Sequence, residues 1–428
     1  MKYLKIRYRI LSFILFSLVL LTTYHCDNNR EKSNEAKTRL MGALALTPPM
    51  GWNSWNMFNE HINEQLIMEI IDAMVSSGMK DAGYEYVILD DGWQRYKSSR
   101  MEGTLEADPE KFPHGIKYLA DYCHSKGLKF GIYSGPGNNT CAGYAGSLGH
   151  EMEDAKMWAS WGVDYLKYDS CCEPGKGSPK TEALFDTMAK ALQNCGRNIV
   201  LSVCHCGWDS VWQWAGKYGQ QWRIGQDIAD AFDSPGYVDG YYMDILDLID
   251  RGVGLEKYSG PGGWNDYDML VVGLNGKTLG GDNMPGPGCT PLEYRTHFSM
   301  WCILSSPLIA GNDLRNMDAY TVETLTNKEV IALNQDSLGI QAAKKRDDGD
   351  QEIFAKPLAD GSWAVALLNR GTKEAMMTIN FKDDLRLTWS GVKVRDLWLH
   401  RDMGLFNDAY TAPVLPHEAV MLKLVNYE

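Results

Sequence analysis

A strand-like run followed by an amphipathic run recurs through most of the chain, and this repeat limits the possible folds more than any other feature. Four successive strand-like runs end near Asp91, Tyr133, Asp169 and Cys204, at intervals of 42, 36 and 35 positions. Repeated strand–helix units of this kind predict a parallel sheet with right-handed crossovers. The amphipathic runs predict helices over 63–77, 115–126, 151–161 and 181–194.

Eight strand-like runs in this pattern predict a (β/α)₈ (TIM) barrel, whose site lies at the carboxyl ends of the strands. A doubly wound open sheet is the alternative, but no G-x-G-x-x-G sequence follows the first run. The eight runs are "MGWNSW" (50–55), "YVILDDGW" (86–93), "LKFGIYSGPG" (128–137), "VDYLKYD" (163–169), "NIVLSVCHC" (198–206), "QWRIGQD" (221–227), "GGWNDYDML" (262–270) and "LSSPLIAGND" (304–313).

The sequence changes character near residue 340. Short alternating segments with turn signals follow, for example "QEIFAKPLADGSWAVALLNRG", and they predict an antiparallel β-sandwich. We therefore expect a barrel domain over 45–339 and a sandwich over 340–428.

The first residues have the features of an export signal. Basic residues precede an apolar run from Ile10 to Leu21, which is too short to span a bilayer stably. We predict a signal peptide over 1–26 and a linker over 27–44. Cys26 resembles a lipoprotein cleavage site, although Tyr24 and His25 replace the small residues usual there. The chain is thus expected to be exported, as a periplasmic, outer-membrane-anchored or secreted protein.

Charge and cysteine content exclude several classes of function. The net charge of −13 argues against nucleic acid or an anionic membrane surface as the main partner. Nine cysteines remain after Cys26, so at least one thiol should be free even if disulfides form. Cys204 and Cys206 lack a second ligand pair in the sequence, so a zinc site is not expected there.

Acidic residues gather where the predicted strands end, and a barrel would bring these ends to one mouth. Acids, two cations and aromatic rings together suit a polyol, because charged groups bind hydroxyls and a ring can stack on the sugar. Metal binding by the acids is the main alternative, but a lysine so close to Asp169 would repel a metal ion. No metal or cofactor is therefore predicted. The residues concerned are Asp90, Asp91, Asp169, Asp227, Asp266, Asp268, Lys167, Arg223, Trp55 and Tyr133.

Lys167 and Asp169 are a conspicuous pair, because two positions apart on a strand they point to the same face. Burying two charges needs a compensating partner for each. Three interpretations are open: a structural ion pair, a metal ligand, or a catalytic carboxylate with a cation beside it.

These motifs resemble glycoside hydrolase family 27, the α-galactosidases or melibiases. The resemblance extends through "TPPMGWNSWNMF", "ILDDGWQ", "GIYSGPGNNTCAG", "DYLKYDSC", "WRIGQDI", "GGWNDYDML" and "NQDSLG". It implies that Asp169 is the nucleophile and Asp227 the general acid/base of a retaining glycosidase, with a disulfide between Cys141 and Cys171. It further implies sugar-binding roles for Trp55, Asp90, Asp91, Tyr133, Cys141, Lys167, Arg223 and Asp268, and galactose-containing oligosaccharides or polysaccharides as substrates.

The chain departs from the family pattern after the fifth strand. Family members commonly have "CEW" there, with a glutamate on the sugar 2-hydroxyl, whereas this chain has "CHC". His205 is therefore predicted either to contact the substrate or to be a packed loop residue. Gly92 also replaces a family cysteine, so one family disulfide should be absent. Activity on β-L-arabinopyranosides or α-N-acetylgalactosaminides stays open, as does a carbohydrate-binding protein without catalysis. The last is disfavoured, because Asp169 and Asp227 both remain in their motifs.

Overall fold

The computed structural model describes residues 44–97, 100, 103–171, 179–234, 242–278 and 286–427. The predicted signal peptide, Cys26 and all but the last residue of the predicted linker lie outside the described residues. Within the described part of the chain, no helix is both long enough and apolar enough to cross a bilayer.

Eight parallel strands form the first sheet of the described residues, in the order β8-β1-β2-β3-β4-β5-β6-β7. The chain just beyond β7 meets β8: the Leu270 amide donates to the Ile309 carbonyl at 2.7 Å, and the Gly311 amide donates to the Leu270 carbonyl at 3.1 Å. This bridge closes the sheet, so the predicted barrel is confirmed and the open doubly wound sheet is not. The strands are β1 (Met50–Asn53), β2 (Tyr86–Ile88), β3 (Lys129–Ser134), β4 (Tyr165–Asp169), β5 (Val200–Cys204), β6 (Gln221–Arg223), β7 (Trp264–Asp266) and β8 (Leu308–Ala310).

Helices cover the outside of the barrel, and their amphipathic sequences explain why they form. The first begins at Glu64 because the Asn63 side chain caps the Leu66 amide at 2.9 Å. Another starts with a capping box between Thr290 and Glu293. The principal helices are Glu64–Ser76, Gly115–Ser125, Glu151–Trp161, Pro179–Gln193, Ile245–Gly252, Pro291–Ile303, Ala319–Thr326 and Lys328–Asn334.

The connection from β5 to β6 differs from the others. It is fully described and contains two 3₁₀ turns, Trp208–Gln213 and Ala215–Lys217, instead of an α-helix. The chain therefore returns to the barrel over a short path, and the residues just after β5 remain close to those just after β6. The Gly207 amide, for example, donates to the Arg223 carbonyl at 3.1 Å.

The C-terminal region forms the predicted antiparallel β-sandwich. One sheet has the order β9-β10-β11-β16-β13-β14, and β12 pairs with β15 in a second sheet. Side chains between the sheets form a core of their own, which includes Ile353, Val365, Ile379 and Leu422. The strands are β9 (Ala343–Asp347), β10 (Gln351–Pro357), β11 (Trp363–Asn369), β12 (Ala375–Asn380), β13 (Val392–Asp396), β14 (Arg401–Phe406), β15 (Ala409–Val414) and β16 (Ala419–Asn426).

Polar contacts fix the sandwich to the barrel. Lys356 of β10 is fully buried and donates from Nζ to the Ser305 hydroxyl at 2.7 Å. Burial disfavours the ammonium form and lowers the pKa of Lys356 to about 7. The Trp398 indole donates to Ser299 Oγ at 2.9 Å. Side-chain hydrogen bonds therefore hold the sandwich against the barrel.

Candidate active site

The carboxyl ends of the barrel strands surround a cavity of about 530 Å³. Ten of the eleven residues predicted to act on or bind a substrate line it, and His205 does not. The ten are Trp55, Asp90, Asp91, Tyr133, Cys141, Lys167, Asp169, Arg223, Asp227 and Asp268. With Glu60, which also lines it, the cavity thus combines six carboxylates with two cations and two of the predicted aromatic rings.

One side of the cavity, which we call the first wall, consists of Asp90, Asp91, Tyr133, Lys167 and Asp169. Lys167 contacts the acids of this wall. Its Nζ donates to Asp90 Oδ2 at 2.8 Å, and the Asn53 amide donates to the same oxygen at 2.6 Å. Burial opposes the charge of Lys167, but the carboxylates of Asp90 and Asp169 outweigh it and hold the pKa of Lys167 well above its usual value. The direct ion-pair partner of Lys167 is thus Asp90, which follows β2, two strands away from β4, while Asp169 interacts with Lys167 through space.

Asp169 is the last residue of β4 and is 8% exposed. Burial raises the pKa of Asp169, Lys167 counteracts this effect, and the negative charge of Asp227 adds to it. Cys171 Sγ lies 3.3 Å from Asp169 Oδ1. This sulfur belongs to a disulfide with Cys141 and carries no hydrogen, so the contact is packing and leaves the carboxylate oxygen available.

Tyr133 connects the disulfide with Lys167. Its hydroxyl donates to Cys141 Sγ at 2.9 Å, and Lys167 Nζ lies 5.4 Å from the centre of its ring. The disulfide and the ring therefore fix the wall beside Asp169.

Asp91 is held by backbone amides. Its two oxygens accept from the Gly92 and Ala142 amides at 2.9 and 2.8 Å. Burial raises the pKa of Asp91 to about 7, against the effect of these hydrogen bonds. Asp91 is thus a buried carboxyl group that faces the cavity and can bind hydroxyls either as acceptor or, when protonated, as donor.

The other side of the cavity, which we call the opposite wall, consists of Arg223, Asp227 and Asp268. Arg223 forms ion pairs with both acids. Its guanidinium contacts Asp227 Oδ1 at 3.0 Å and Asp268 Oδ1 at 2.9 Å. Asp227 lies on a short ribbon, Asp227–Ile228, which pairs with Tyr242–Met243 rather than with the barrel sheet. The Asp227 side chain is 37% exposed, against 4% for Arg223 and Asp268. The exposed carboxylate of this wall is therefore that of Asp227.

Asp268 has a left-handed backbone, with φ +79°, beyond the end of β7. Its side chain accepts from the Ile228 amide at 2.8 Å, and its carbonyl accepts from the Trp301 indole at 2.8 Å. Burial raises the pKa of Asp268 to about 6, and Arg223 opposes this shift. The strained conformation is held by these contacts from both sides.

His205 corrects one prediction. The side chain is fully buried behind the cavity, so it does not contact a sugar there. Its Nδ1 is 2.6 Å from Ser170 Oγ and its Nε2 is 3.0 Å from Asp209 Oδ2. Trp208 and Trp214 pack around the ring. The alternative interpretation, a packed loop histidine, describes its position.

Several residues that line or support the cavity were not predicted from the sequence to act there, among them Glu60, His61, Tyr242 and Asn53. Tyr242 lines the cavity next to Asp227, but nothing in its sequence context marks it. Asn53 orients Asp90 and belongs to the "MGWNSW" motif, which could have drawn attention to it. Asp266, which ends β7, accepts from Gln221 at 3.0 Å below the cavity and does not line it.

One group in the described residues has the spacing of metal ligands: Cys141, Asp169 and Cys171. Two of its three members are joined in the disulfide and cannot act as thiolates. The residues present do not fit a metal site at this position.

A closed (β/α)₈ barrel with facing carboxylates at its mouth and a C-terminal sandwich defines a class, the barrel glycoside hydrolases. The chain matches the family model described as melibiase, alpha galactosidase A, over residues 47–336. It also matches the alpha galactosidase C-terminal beta sandwich domain over residues 348–424. The protein therefore belongs to the melibiase family, as its motifs indicated.

Similar proteins agree with this assignment. The chain is 46% identical to alpha-galactosidase A of Cellvibrio japonicus over 85% of its own length and 84% of that protein. It is 44% identical to alpha-galactosidase 2 of Arabidopsis thaliana over 97% of both chains. The crystal structure of alpha-galactosidase I from Mortierella vinacea superposes with a TM-score of 0.84 at 41% identity, covering 90% of this chain and 98% of that one.

Proposed function

We propose that this protein is an exo-acting retaining α-galactosidase that releases terminal α-D-galactose from oligosaccharides or polysaccharides. One observation is central to the proposal. Asp169 and Asp227 face the same cavity from different elements, and the negative charge of Asp227 raises the pKa of Asp169. Retaining glycosidases use two such carboxylates on opposite sides of the scissile bond. The family membership supports galactose as the sugar.

Asp169 is the nucleophile in this proposal. It is fixed at a strand end, and Lys167 favours its ionised form. The carboxylate attacks the anomeric carbon, the bond to the leaving oxygen breaks, and a covalent glycosyl intermediate forms. Water then hydrolyses this intermediate, so two inversions give net retention.

Asp227 is the general acid and then the general base. Its partial exposure allows it to reach the leaving oxygen first and the attacking water afterwards. Arg223 orients one oxygen of Asp227 and leaves the other available. Arg223 also forms an ion pair with Asp268, and this second contact keeps the guanidinium in position beside Asp227.

The acids of the first wall recognise the sugar. Asp90 and Asp91 lie side by side, where they can accept hydrogen bonds from the 4- and 6-hydroxyls. A buried acceptor left unpaired costs about 1–3 kcal/mol, so a glucoside that cannot reach these acids should be rejected. We expect α-galactosides to be cleaved at least about a hundredfold faster than α-glucosides.

Hydrolysis of three nitrophenyl glycosides tests the proposal: the α-galactoside, the β-L-arabinopyranoside and the α-N-acetylgalactosaminide. Preference for the first supports the proposed substrate, and preference for either of the others replaces it on the same site. No turnover of any, with sugar binding retained, would indicate a binding protein. The anomer first formed, observed by proton NMR, decides the mechanism, since an inverted product would contradict a nucleophilic Asp169.

We also propose export, from the basic and apolar residues of the N-terminus, with Cys26 as a lipid attachment site. Cell fractionation of the full chain and of a Cys26→Ala variant tests this. Movement of the variant from the membrane fraction to the soluble fraction supports lipidation, whereas a wild-type protein in the cytoplasm contradicts export.

A further inference from the structure

The Cys204-His205-Cys206 segment has no role in the proposed catalytic cycle. It nevertheless begins beside Asp169, the proposed nucleophile. Cys204 is the last residue of β5 and stands beside Asp169 in the sheet register. Both cysteines are free thiols, the first buried and the second partly exposed. Two free thiols two positions apart and this close to Asp169 are a candidate redox pair.

The backbone brings the two thiols together. Residues two apart on an extended strand have Cα atoms about 6.6 Å from each other, near the upper limit for a disulfide. Here the chain leaves the strand and turns: Cys206 has φ +48° and Gly207 has φ +73°. The positive φ of Cys206 sets the direction of its side chain, and its thiol interacts with the Cys204 thiol and raises the pKa of Cys204.

Arg223 supplies a cation next to the pair. Its Nη1 lies 3.9 Å from Cys204 Sγ, and both thiols are within range of its charge. Arg223 favours the Cys204 thiolate, but the Cys206 thiol, burial and Asp169 outweigh this effect and the pKa of Cys204 stays well above its usual value. Other free thiols are placed differently: Cys123 and Cys302 are buried in the core, and the Cys195 thiol contacts the Leu192 carbonyl at 3.0 Å.

We propose that Cys204 and Cys206 form a dithiol site that oxidised low-molecular-weight disulfides convert to an intramolecular disulfide, and that the oxidised form has lower turnover. The partly exposed Cys206 thiolate attacks the external disulfide and releases one thiol. Cys204 then attacks the Cys206 sulfur, the bond from Cys206 to the external sulfur breaks, and the departing thiolate takes the Cys204 proton and leaves as the second thiol. Two protein thiols are oxidised and one external disulfide is reduced to two thiols.

Backbone hydrogen bonds link the Cys204-His205-Cys206 segment to both walls of the cavity. The Ser170 amide, next to Asp169, donates to the Cys204 carbonyl at 3.0 Å. The Gly207 amide donates to the Arg223 carbonyl at 3.1 Å. We expect a disulfide to change the position of Cys204 Sγ beside Arg223 and to shift this turn. A displacement near 1 Å in an active site can reduce turnover by up to about a hundredfold.

The test uses oxidised glutathione on the full chain. Wild-type protein is incubated with excess reagent, and free thiols are then alkylated and mapped by peptide mass spectrometry. We expect a Cys204–Cys206 link, about a tenfold fall in kcat/KM on the nitrophenyl α-galactoside, and recovery with reduced glutathione. The map also reports the Cys141–Cys171 disulfide, whose reduction would lower activity rather than restore it.

Matched variants assign the effect. Cys206→Ser should lose the sensitivity to oxidised glutathione whatever its basal rate, and Cys206→Ala serves if the serine variant folds poorly. Cys195→Ser, which changes another partly exposed thiol, should keep the sensitivity. Sensitivity that persists in both Cys206 variants would overturn the proposal.

Three further results would overturn it: no Cys204–Cys206 link in the wild type, a glutathione adduct that remains on Cys206, or a link that leaves kcat/KM unchanged. The inference depends on the proposed function only for its activity measurement. The thiol map needs no substrate, so a wrong substrate assignment and a wrong dithiol assignment give different results.

Discussion

The two walls of the cavity hold their carboxylates in different ways. Asp169 ends a five-residue strand with hydrogen-bonded neighbours on both sides and is almost fully buried. Asp227 lies on a two-residue ribbon outside the barrel sheet, and over a third of its side chain is exposed. The first position is fixed by the sheet, while the second depends mainly on one arginine.

This difference matches two kinds of chemistry. A nucleophile must meet one carbon atom at a set distance, and a strand end supplies that precision. An acid/base must exchange protons with a leaving group and then with water, so it needs access to solvent. If the walls are specialised in this way, substitutions on the two walls should reduce turnover in different patterns.

The largest effect is expected for Asp169→Ala. Without the carboxylate no glycosyl intermediate forms, so kcat should fall by about 10⁴-fold or more on every substrate. Added azide should not restore a product of the original anomeric configuration, which product NMR can check. Uniform residual activity near the wild-type level would place the nucleophile elsewhere.

Asp227→Ala should show a loss that depends on the leaving group. A poor leaving group, such as a sugar, needs protonation and should lose about 10²–10⁴-fold in rate. An activated aryl galactoside needs little protonation and should lose much less. Measuring kcat/KM on both substrate types decides the point, and equal losses would assign the acid role to another residue.

Arg223→Lys should have an intermediate effect. A lysine keeps the charge but cannot contact Asp227 and Asp268 together, so we expect about a 10–100-fold loss in kcat/KM. Arg346→Lys is a matched control, because Arg346 pairs with Asp384 in the sandwich, far from the cavity. A similar loss in both variants would indicate a general effect on folding.

The smallest effect concerns stability. Burial raises the pKa of Asp169, so the folded state binds its proton more tightly than the unfolded state does. The stability linked to this group is present below about pH 4 and is lost as the pH rises through the raised pKa. Asp169→Asn should therefore raise Tm by about 2 °C at pH 7 and by less at pH 3. Asp227→Asn, at an exposed position, should change Tm little at either pH, and equal shifts would contradict the comparison.

The regular part of the barrel could be predicted from the sequence because period and spacing determine it. The helix expected over 151–161 is Glu151–Trp161 in the structure, and the one expected over 63–77 is Glu64–Ser76. Amphipathic helices pack on the sheet wherever their apolar face repeats, so local sequence suffices.

Ten of the cavity residues could be predicted from the sequence, but the pairings between them could not. The strand pattern placed Lys167 and Asp169 on one face, yet the ion pair forms with Asp90, which is 77 positions away. Asp227 was expected to follow the sixth strand directly, but that strand ends at Arg223 and the ribbon begins afterwards. His205 could not be placed, because alternation stops where the chain turns at Cys206. Sequence periodicity gives no information once the backbone leaves regular structure.

The closure of the barrel has a consequence for local opening. Strand β7 and strand β8 share no ladder within their described residues and meet through the bridge at Leu270, two positions after Asp268. Because few hydrogen bonds must break there, amide hydrogen exchange should be faster at Leu270 and Gly311 than at β3 and β4. A sugar bound to Asp268 should slow hydrogen exchange at the Leu270 bridge. The exchange rate there would then show whether the cavity is occupied, even when no substrate is hydrolysed.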